Sequence, residues 1–521
     1  MDKVQSELAG TEHQEIDSPT DLDTEPYGPP GFRGIAASRY VALCASFSAI
    51  GGLLFGYDQG VISVILVMPE FLGRFEQVSD TASGAGFYKG LMTAMITLGA
   101  FIGALNQGWV ADAYSRKYSI MIAVVIFTIG SALQTAAVDY AMLVIARLIG
   151  GIGIGMLSMV VPLYISEISP PEIRGTLLVL EELSIVFGIV MVPGLFLGFG
   201  AIFLPFSPRW LASKGREQDA LHNLARLRCL PPSDSKVQRE WLEIITESKF
   251  QQGILAERHP TLVNGGTVEK LKLEVVAWGD CFKKGCWRRT HVGAGLMFFQ
   301  QFVGINALIY YSPTLFGTMG LDHNMQLIMS GVLNVTQLIG VLTSLWTLDS
   351  FGRRKILMYG SVGMFISHFI IAILVGLYSH NWPANTDKGW TSVAFLLFYM
   401  LAFGASWGPV PWAMPSEIFP SSLRAKGVSI STCSNWINNF IVGLITPPLV
   451  QNTGFGAYVF FAVFCFLSFA WTFYFVPETN GKSLEEMDEV FKDHSSVEEL
   501  EKKKRLLAET VRERAAQNTF A

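Results

Sequence analysis

Ten stretches of twenty or more residues run through this chain almost without charge, near 41–67, 87–111, 118–137, 141–165, 291–316, 326–348, 356–378, 391–414, 427–450 and 455–476, with a further apolar block at 176–205. A bilayer core of about 30 Å takes about 20 helical residues to cross. Lipid offers no partner to a backbone amide, so a spanning segment must satisfy its own hydrogen bonds and is helical. These runs therefore predict an all-α polytopic membrane protein. They also account for a charged fraction of only 16%, against about 25% in soluble domains. A net charge of −5 gives no basic surface for nucleic acid.

Charge sets the orientation. Arg116 and Lys117 follow the second span, Arg174 the fourth, Arg353, Arg354 and Lys355 the eighth, and Arg424 and Lys426 the tenth, while the turns near 138–140, 317–325 and 450–455 carry no Lys or Arg. Basic residues concentrate in cytoplasmic loops. Both tails and the polar segment 207–290 are thus expected in the cytosol. Residues 1–33 hold eight acids against Lys3 and Arg33, the reverse of a secretory signal. The expected division is a disordered tail (1–39), an N-terminal bundle (40–206), a helical linker (207–290), a C-terminal bundle (291–476) and a second tail (477–521). Cys44, Cys433 and Cys465 lie in apolar spans; Cys229, Cys281 and Cys286 lie in the linker. No second Cys/His pair at zinc spacing accompanies Cys281 and Cys286, so neither a disulfide framework nor a metal is expected. The sequence holds no catalytic constellation and no phosphate loop, which argues against an enzyme.

A repeat is visible. Asp112-Ala-Tyr-Ser-Arg116-Lys117 recurs as Asp349-Ser-Phe-Gly-Arg353-Arg354, and Ser166-Glu167-Ile168-Ser-Pro170 with Arg174 recurs as Ser416-Glu417-Ile418-Phe-Pro420 with Arg424. Two copies of one module suggest two homologous helix bundles, an arrangement that puts substrate at their interface near the midplane. The repeat also exposes a shortfall. Arg424 and Pro477 are 53 positions apart, enough for two spans and a turn; Arg174 and Pro208 are only 34 apart. Two spans need about 40 residues before any turn. The fifth and sixth spans are therefore expected to be shortened near Val190 to Pro193, either as a short or re-entrant hairpin or as a deletion that leaves the chain inactive.

Several ordered motifs between about 40 and 490 resemble the sugar porters of the major facilitator superfamily, and fungal members most. They are Gly56-Tyr-Asp58-Gln-Gly60-Val-Ile-Ser63, the two Asp–Arg loops, Arg147 opening a Gly-rich span, Pro205-Phe-Ser-Pro208-Arg209-Trp210, Gln300-Gln301-Phe-Val-Gly304-Ile-Asn306 with Tyr310-Tyr311, Gly408-Pro-Val-Pro-Trp412 and Pro477-Glu478-Thr479-Asn-Gly481. Ala113 and Ser115 stand where the family usually has Arg and Gly, which weakens one latch.

The resemblance implies a fold of two six-helix bundles and transport of a monosaccharide, hexose or pentose, with no cofactor and a proton as coupling ion. A sugar sensor, or an inactive deletion or mis-spliced product, are the alternatives. A sugar offers hydroxyls and no net charge, so amides and an aromatic face suit it. By resemblance, Gln300, Gln301, Asn306, Asn334, Asn435, Trp407, Trp412 and Trp436 line the site, with Glu182 where the family commonly has a glutamine. The same amides could instead hold helices together. On an unbroken helix, Gln300 and Asn306 lie about 120° apart, so a narrow site using both needs a break, which Gly304 and Pro313 permit. Tyr310 and Tyr311 would then lie near an outer gate. Asp58 and Arg147 are opposite charges at similar depth, and by resemblance this pair serves proton coupling; a static bridge is the plainer reading. Glu167, Arg174, Glu417, Arg424, Asp112, Arg116, Asp349, Arg353 and Arg354 resemble the family's inner lattice of exposed salt bridges. The remaining expectations are a monomer in the plasma membrane, with the bilayer and a sugar as its partners.

Overall fold

The computed structural model describes residues 34–35, 38–79, 82–170, 173, 177, 204–258, 267–283, 286–419, 423–479, 491 and 505–506. Among these the regular structure is helical, without a strand. In chain order the helices are α1 (Arg39–Ile65), α2 (Pro69–Arg74), α3 (Ala85–Tyr114), α4 (Arg116–Thr135), α5 (Tyr140–Ile168), α6 (Pro208–Ser213), α7 (Glu217–Arg228), α8 (Ser235–Arg258), α9 (Thr267–Asp280), α10 (Trp287–Phe302), α11 (Ile305–Thr318), α12 (His323–Phe351), α13 (Arg353–Tyr378), α14 (Thr386–Ala405), α15 (Val410–Ile418), α16 (Arg424–Thr453) and α17 (Gly456–Phe475).

Nine spans among the described residues are long and apolar enough to cross a membrane, α10 with α11 and α14 with α15 each forming one of them. The 30-residue α16 is not among the nine. It buries Ser429, Ser431, Thr432, Asn435, Asn438, Asn439 and Thr446, so its polarity faces protein, where such groups find partners, and not lipid. The lipid side is apolar elsewhere too: Ile129, Val335, Phe369 and Phe466 are all exposed.

Helices α1, α3, α4 and α5 form one bundle and α10 to α17 the other. Within the first, glycines let backbones touch. A Cβ on Gly155 would lie 1.9 Å from the Ala100 carbonyl oxygen and one on Gly151 2.0 Å from that of Ile96. This is the small-residue spacing of close membrane helix pairs. Helix starts follow local chemistry: the Asp139 carboxylate accepts from Met142 N at 2.7 Å, satisfying one of the orphaned donors of α5. Helix α3 also lies along α16 of the other bundle, and a Cβ on Gly90 would meet the Leu444 carbonyl oxygen at 2.5 Å.

Helices α6, α7 and α8 build a small core of Leu211, Leu224, Trp241 and Ile245. It is tied to the membrane part where Arg228 Nη1 donates to the Ile168 carbonyl at 2.8 Å. Tyr164 Oη donates to the Pro205 carbonyl at 2.7 Å. The chain therefore leaves α5 and returns at the same end, the end that carries Arg116, Arg353 and Arg354, called here the basic end. The segment between Pro170 and Leu204, where the fifth and sixth spans are expected, lies outside the described residues apart from Ile173 and Leu177, and so do Arg174 and Glu182.

Candidate transport site

The break in the seventh span is present. Helix α10 stops at Phe302 and α11 starts at Ile305, with Gly304 between them at φ 103°, a conformation natural only to glycine. Tyr311, just before Pro313, departs from helical geometry as well (φ −119°, ψ 20°).

The break brings the two ends of the amide motif together. Asn306 Nδ2 donates to Gln301 Oε1 at 2.6 Å. Gln300 Nε2 donates to the carbonyls of Trp407 at 2.8 Å and Gly408 at 3.0 Å, at the second broken span between α14 and α15. Its Oε1 accepts from Asn435 Nδ2 at 2.6 Å. Gln300, Gln301, Asn306 and Asn435 are all buried. The structure adds a member that sequence reasoning did not single out: Gln59 Nε2, from the other bundle, donates to Asn306 Oδ1 at 3.3 Å and to Tyr310 Oη at 3.4 Å. It sits inside the quoted motif of α1, next to Asp58, and successive residues of a helix point about 100° apart. One can thus face its own bundle while the next faces across.

Not every predicted residue joins this cluster. Asn334 Nδ2 bonds within its own helix, to the Ser330 carbonyl at 3.0 Å. Trp407 is fully buried, its indole nitrogen donating to Ser361 Oγ at 2.9 Å. Trp412 is half-buried on α15. Trp436 reaches into the N-terminal bundle, where its Nε1 donates to Ser158 Oγ at 3.0 Å and its ring meets Phe55 edge-on at 5.0 Å. Its part in this structure is a fastening between bundles. Tyr310 Oη donates to Asn439 Oδ1 at 3.3 Å and Tyr311 Oη to the Gly443 carbonyl at 2.8 Å, which anchors α11 on α16.

Asp58 and Arg147 are paired as two parallel bonds of 3.3 and 3.0 Å. Arg147 Nε further donates to the Met92 carbonyl at 2.8 Å and Nη1 to Gln134 Oε1 at 3.3 Å, so four of the five guanidinium N–H groups are bonded.

At the basic end the repeat is realised in space, with one correction. Arg116 bonds Glu167 at 2.8 Å, but the two side chains are only 10% and 8% exposed. This pair is buried rather than exposed, and its strength is not that of a surface bridge. Arg116 also bonds Asp112 at 2.9 Å. In the second copy Arg353 meets Glu417 at 3.1 Å. Each glutamate takes a hydroxyl through its other oxygen, Glu167 from Ser207 and Glu417 from Thr479. The Glu478 carboxylate accepts from the backbone nitrogens of Arg353 at 2.8 Å and Arg354 at 3.2 Å, neutralising the start of α13. Arg424 Nε donates to the Phe419 carbonyl at 3.4 Å. Asp349 lies in the last turn of α12; its side chain is outside the described residues.

The departure at Ser115 has a physical consequence. Ser115 and Gly352 stand at equivalent points of the repeat and share one backbone conformation, φ 87° with ψ 155° and 151°. Glycine alone adopts it without strain; other residues lose about 1–3 kcal/mol. Ser115→Gly is therefore expected to raise thermal stability by about 1 kcal/mol or more, the added chain entropy of glycine offsetting part of the relief. A melting curve in detergent checks it.

Two bundles related by a repeat, a broken helix that reaches the opposite bundle through Asn306 and Gln59, and charge clusters at one end define a multi-pass transporter of the major facilitator type. The family model described as "Sugar (and other) transporter" matches residues 44–199 and 185–491. The chain is 33% identical to the probable glucose transporter rco-3 of Neurospora crassa, over 86% of this chain and 79% of that protein. It is 31% identical to the low-affinity glucose transporter HXT1 of Saccharomyces cerevisiae, over 91% of this chain and 86% of that one. Among solved structures, the proton:xylose symporter XylE bound to 6-bromo-6-deoxy-D-glucose superposes with a TM-score of 0.70 at 27% identity, covering 87% of this chain and 99% of that one. The chain belongs to the sugar porter family of the major facilitator superfamily, a family of transporters and not of enzymes.

Proposed function

We propose that this architecture carries a monosaccharide, hexose or pentose, by alternating access, as a monomer in the plasma membrane with the basic end and both tails in the cytosol. The observation that carries the reading is the buried set of uncharged amides, Asn435–Gln300 and Gln301–Asn306, reaching Gln59 of the opposite bundle. Amides both donate and accept, as sugar hydroxyls require, and repel neither. The glucose named for the fungal relatives and the xylose named for XylE point to the same substrate class. Proton coupling is assigned to Asp58 with Arg147. A carboxylate whose pairing changes between two conformations can take a proton in one and release it in the other.

A second reading concerns this chain in particular. Tyr164 and Pro205 meet at the same end, yet 35 residues separate Ile168 from Leu204, fewer than the roughly 40 that two crossings need. The two family-model segments also overlap at residues 185–199, as one apolar stretch standing in for two would. Both observations favour a chain whose fifth and sixth crossings are incomplete and which does not transport.

Uptake of labelled glucose and xylose in transporter-null cells tests both, with surface expression checked and a version carrying about 35 residues inserted after Val190, enough to complete the fifth and sixth spans with their turn. Uptake by the lengthened chain alone supports the family function and the defect. Uptake by the present chain removes the second reading, and background uptake by both removes sugar transport. A protonophore that leaves accumulation unchanged removes the coupling.

A further inference from the structure

Breaking a membrane helix frees a carbonyl that must find another donor. In an unbroken helix Val303 O would accept from Ala307 N; here the first bond of α11 is Leu308 N to the Gly304 carbonyl at 3.0 Å. Val303 O is met instead by side chains from three other helices. Tyr399 Oη of α14 donates at 3.0 Å, His368 Nε2 of α13 lies at 3.3 Å, and Cys465 Sγ of α17 is a distant third at 3.8 Å. All three are fully buried. A carbonyl has two lone pairs, so tyrosine and histidine fill it and the thiol adds little.

The histidine is chemically committed. A carbonyl can only accept, so Nε2 carries the proton, and Nδ1 is left as an acceptor with no hydrogen-bond partner among the described residues. Burying such a nitrogen is unfavourable, and an aliphatic side chain would avoid it; the imidazole instead places its donor at the break. Its ring packs 4.6 Å from Tyr399 and 5.7 Å from Phe461. Phe461 closes the other side, with a ring carbon 2.9 Å from where a Gly304 Cβ would stand.

We infer that His368 and Tyr399 are positioning residues: a socket formed by α13 and α14 that pins the hinge of the seventh span at Val303–Gly304. The inference rests on the sugar-site reading above and deepens it. Below the hinge, Gln300 is fastened to Trp407 and Gly408. Above it, Asn306 depends on the turn at Gly304 to meet Gln301. Moving the break by one residue rotates Asn306 by about 100° and separates the pair. The socket thus fixes which amides face the substrate.

Two measurements on the purified full chain test this. The first is hydrogen exchange of the 303–312 backbone in Tyr399→Phe, His368→Leu, the double variant and His368→Gln, which needs no sugar. Exchange is expected to rise about tenfold in the double variant, the scale of two lost hydrogen bonds of modest net strength, with α12 and α17 unchanged and His368→Gln near wild type because its amide keeps a donor. Unchanged exchange at 303–312, a rise spread evenly over the bundle, or a glutamine variant as loose as leucine overturns the socket. The second is glucose and xylose affinity by tryptophan fluorescence. It is expected to weaken about tenfold in the double variant and less than twofold in Cys465→Ala, whose thiol is a weak donor. Loosened exchange with unchanged affinity overturns the positioning role. If neither the present chain nor the lengthened one binds either sugar, the sugar-site reading is overturned and the exchange result stands on its own.

Discussion

Arg147→Met is expected to destabilise the N-terminal bundle by about 3–5 kcal/mol, the cost of breaking a buried ion pair by removing one partner. The Arg147 side chain is 4% exposed and that of Asp58 12%. Besides Asp58, Arg147 serves the Met92 carbonyl and the Gln134 amide, so methionine strands three acceptors, one of them a carboxylate facing a helix bundle. Adding Asp58→Asn to Arg147→Met is expected to recover a large part of the loss, because the remaining amide is neutral. Asp58→Asn alone keeps shape and removes the titrating group; in the lengthened chain it is expected to abolish uphill accumulation while exchange of sugar across the membrane continues. Melting curves in detergent read the first two effects, and net uptake beside counterflow reads the third. A single Arg147 variant as stable as wild type would mean that the pair is solvated and the coupling assignment wrong.

The second large effect is at Gly155. Its Cβ would fall 1.9 Å from the Ala100 carbonyl oxygen and 2.5 Å from the same residue's carbonyl carbon and Cα. These are backbone atoms of a helix that is itself wedged against α16, so they cannot swing aside as a side-chain tip would. Gly155→Ala therefore forces α3 and α5 apart, and a destabilisation of about 3 kcal/mol or more is expected, at or above the upper end for overpacking. Gly253→Ala, in α8 with nothing within 4 Å, is the control: it is expected to gain about 0.5–1 kcal/mol from helix propensity. Comparable melting curves for the two variants would refute the close-packing account.

The spans, the repeat and the break at Gly304 were legible in the sequence because each has a local cause: the length of an apolar run, charge in a loop, and the conformational freedom of glycine. Gln59 was not singled out, although it lies inside a motif that was quoted, because nothing along one helix says which residue of another bundle it meets. Nor could the sequence distinguish Asn334, bonded to its own helix, from Asn435, bonded to Gln300.

Sequence alone determined that this chain crosses a membrane many times, in two related halves, with amides and one buried ion pair among apolar residues. Those properties follow from what lipid forbids, and lipid acts on every segment separately. Only the tertiary structure decided which polar groups satisfy which: Trp436 ties the bundles together through Ser158, Arg116 and Glu167 are buried, and the carbonyl freed at Val303 is met by His368 and Tyr399. A hydrogen bond depends on distances between helices far apart in the chain, and packing fixes those distances only once all the helices are in place.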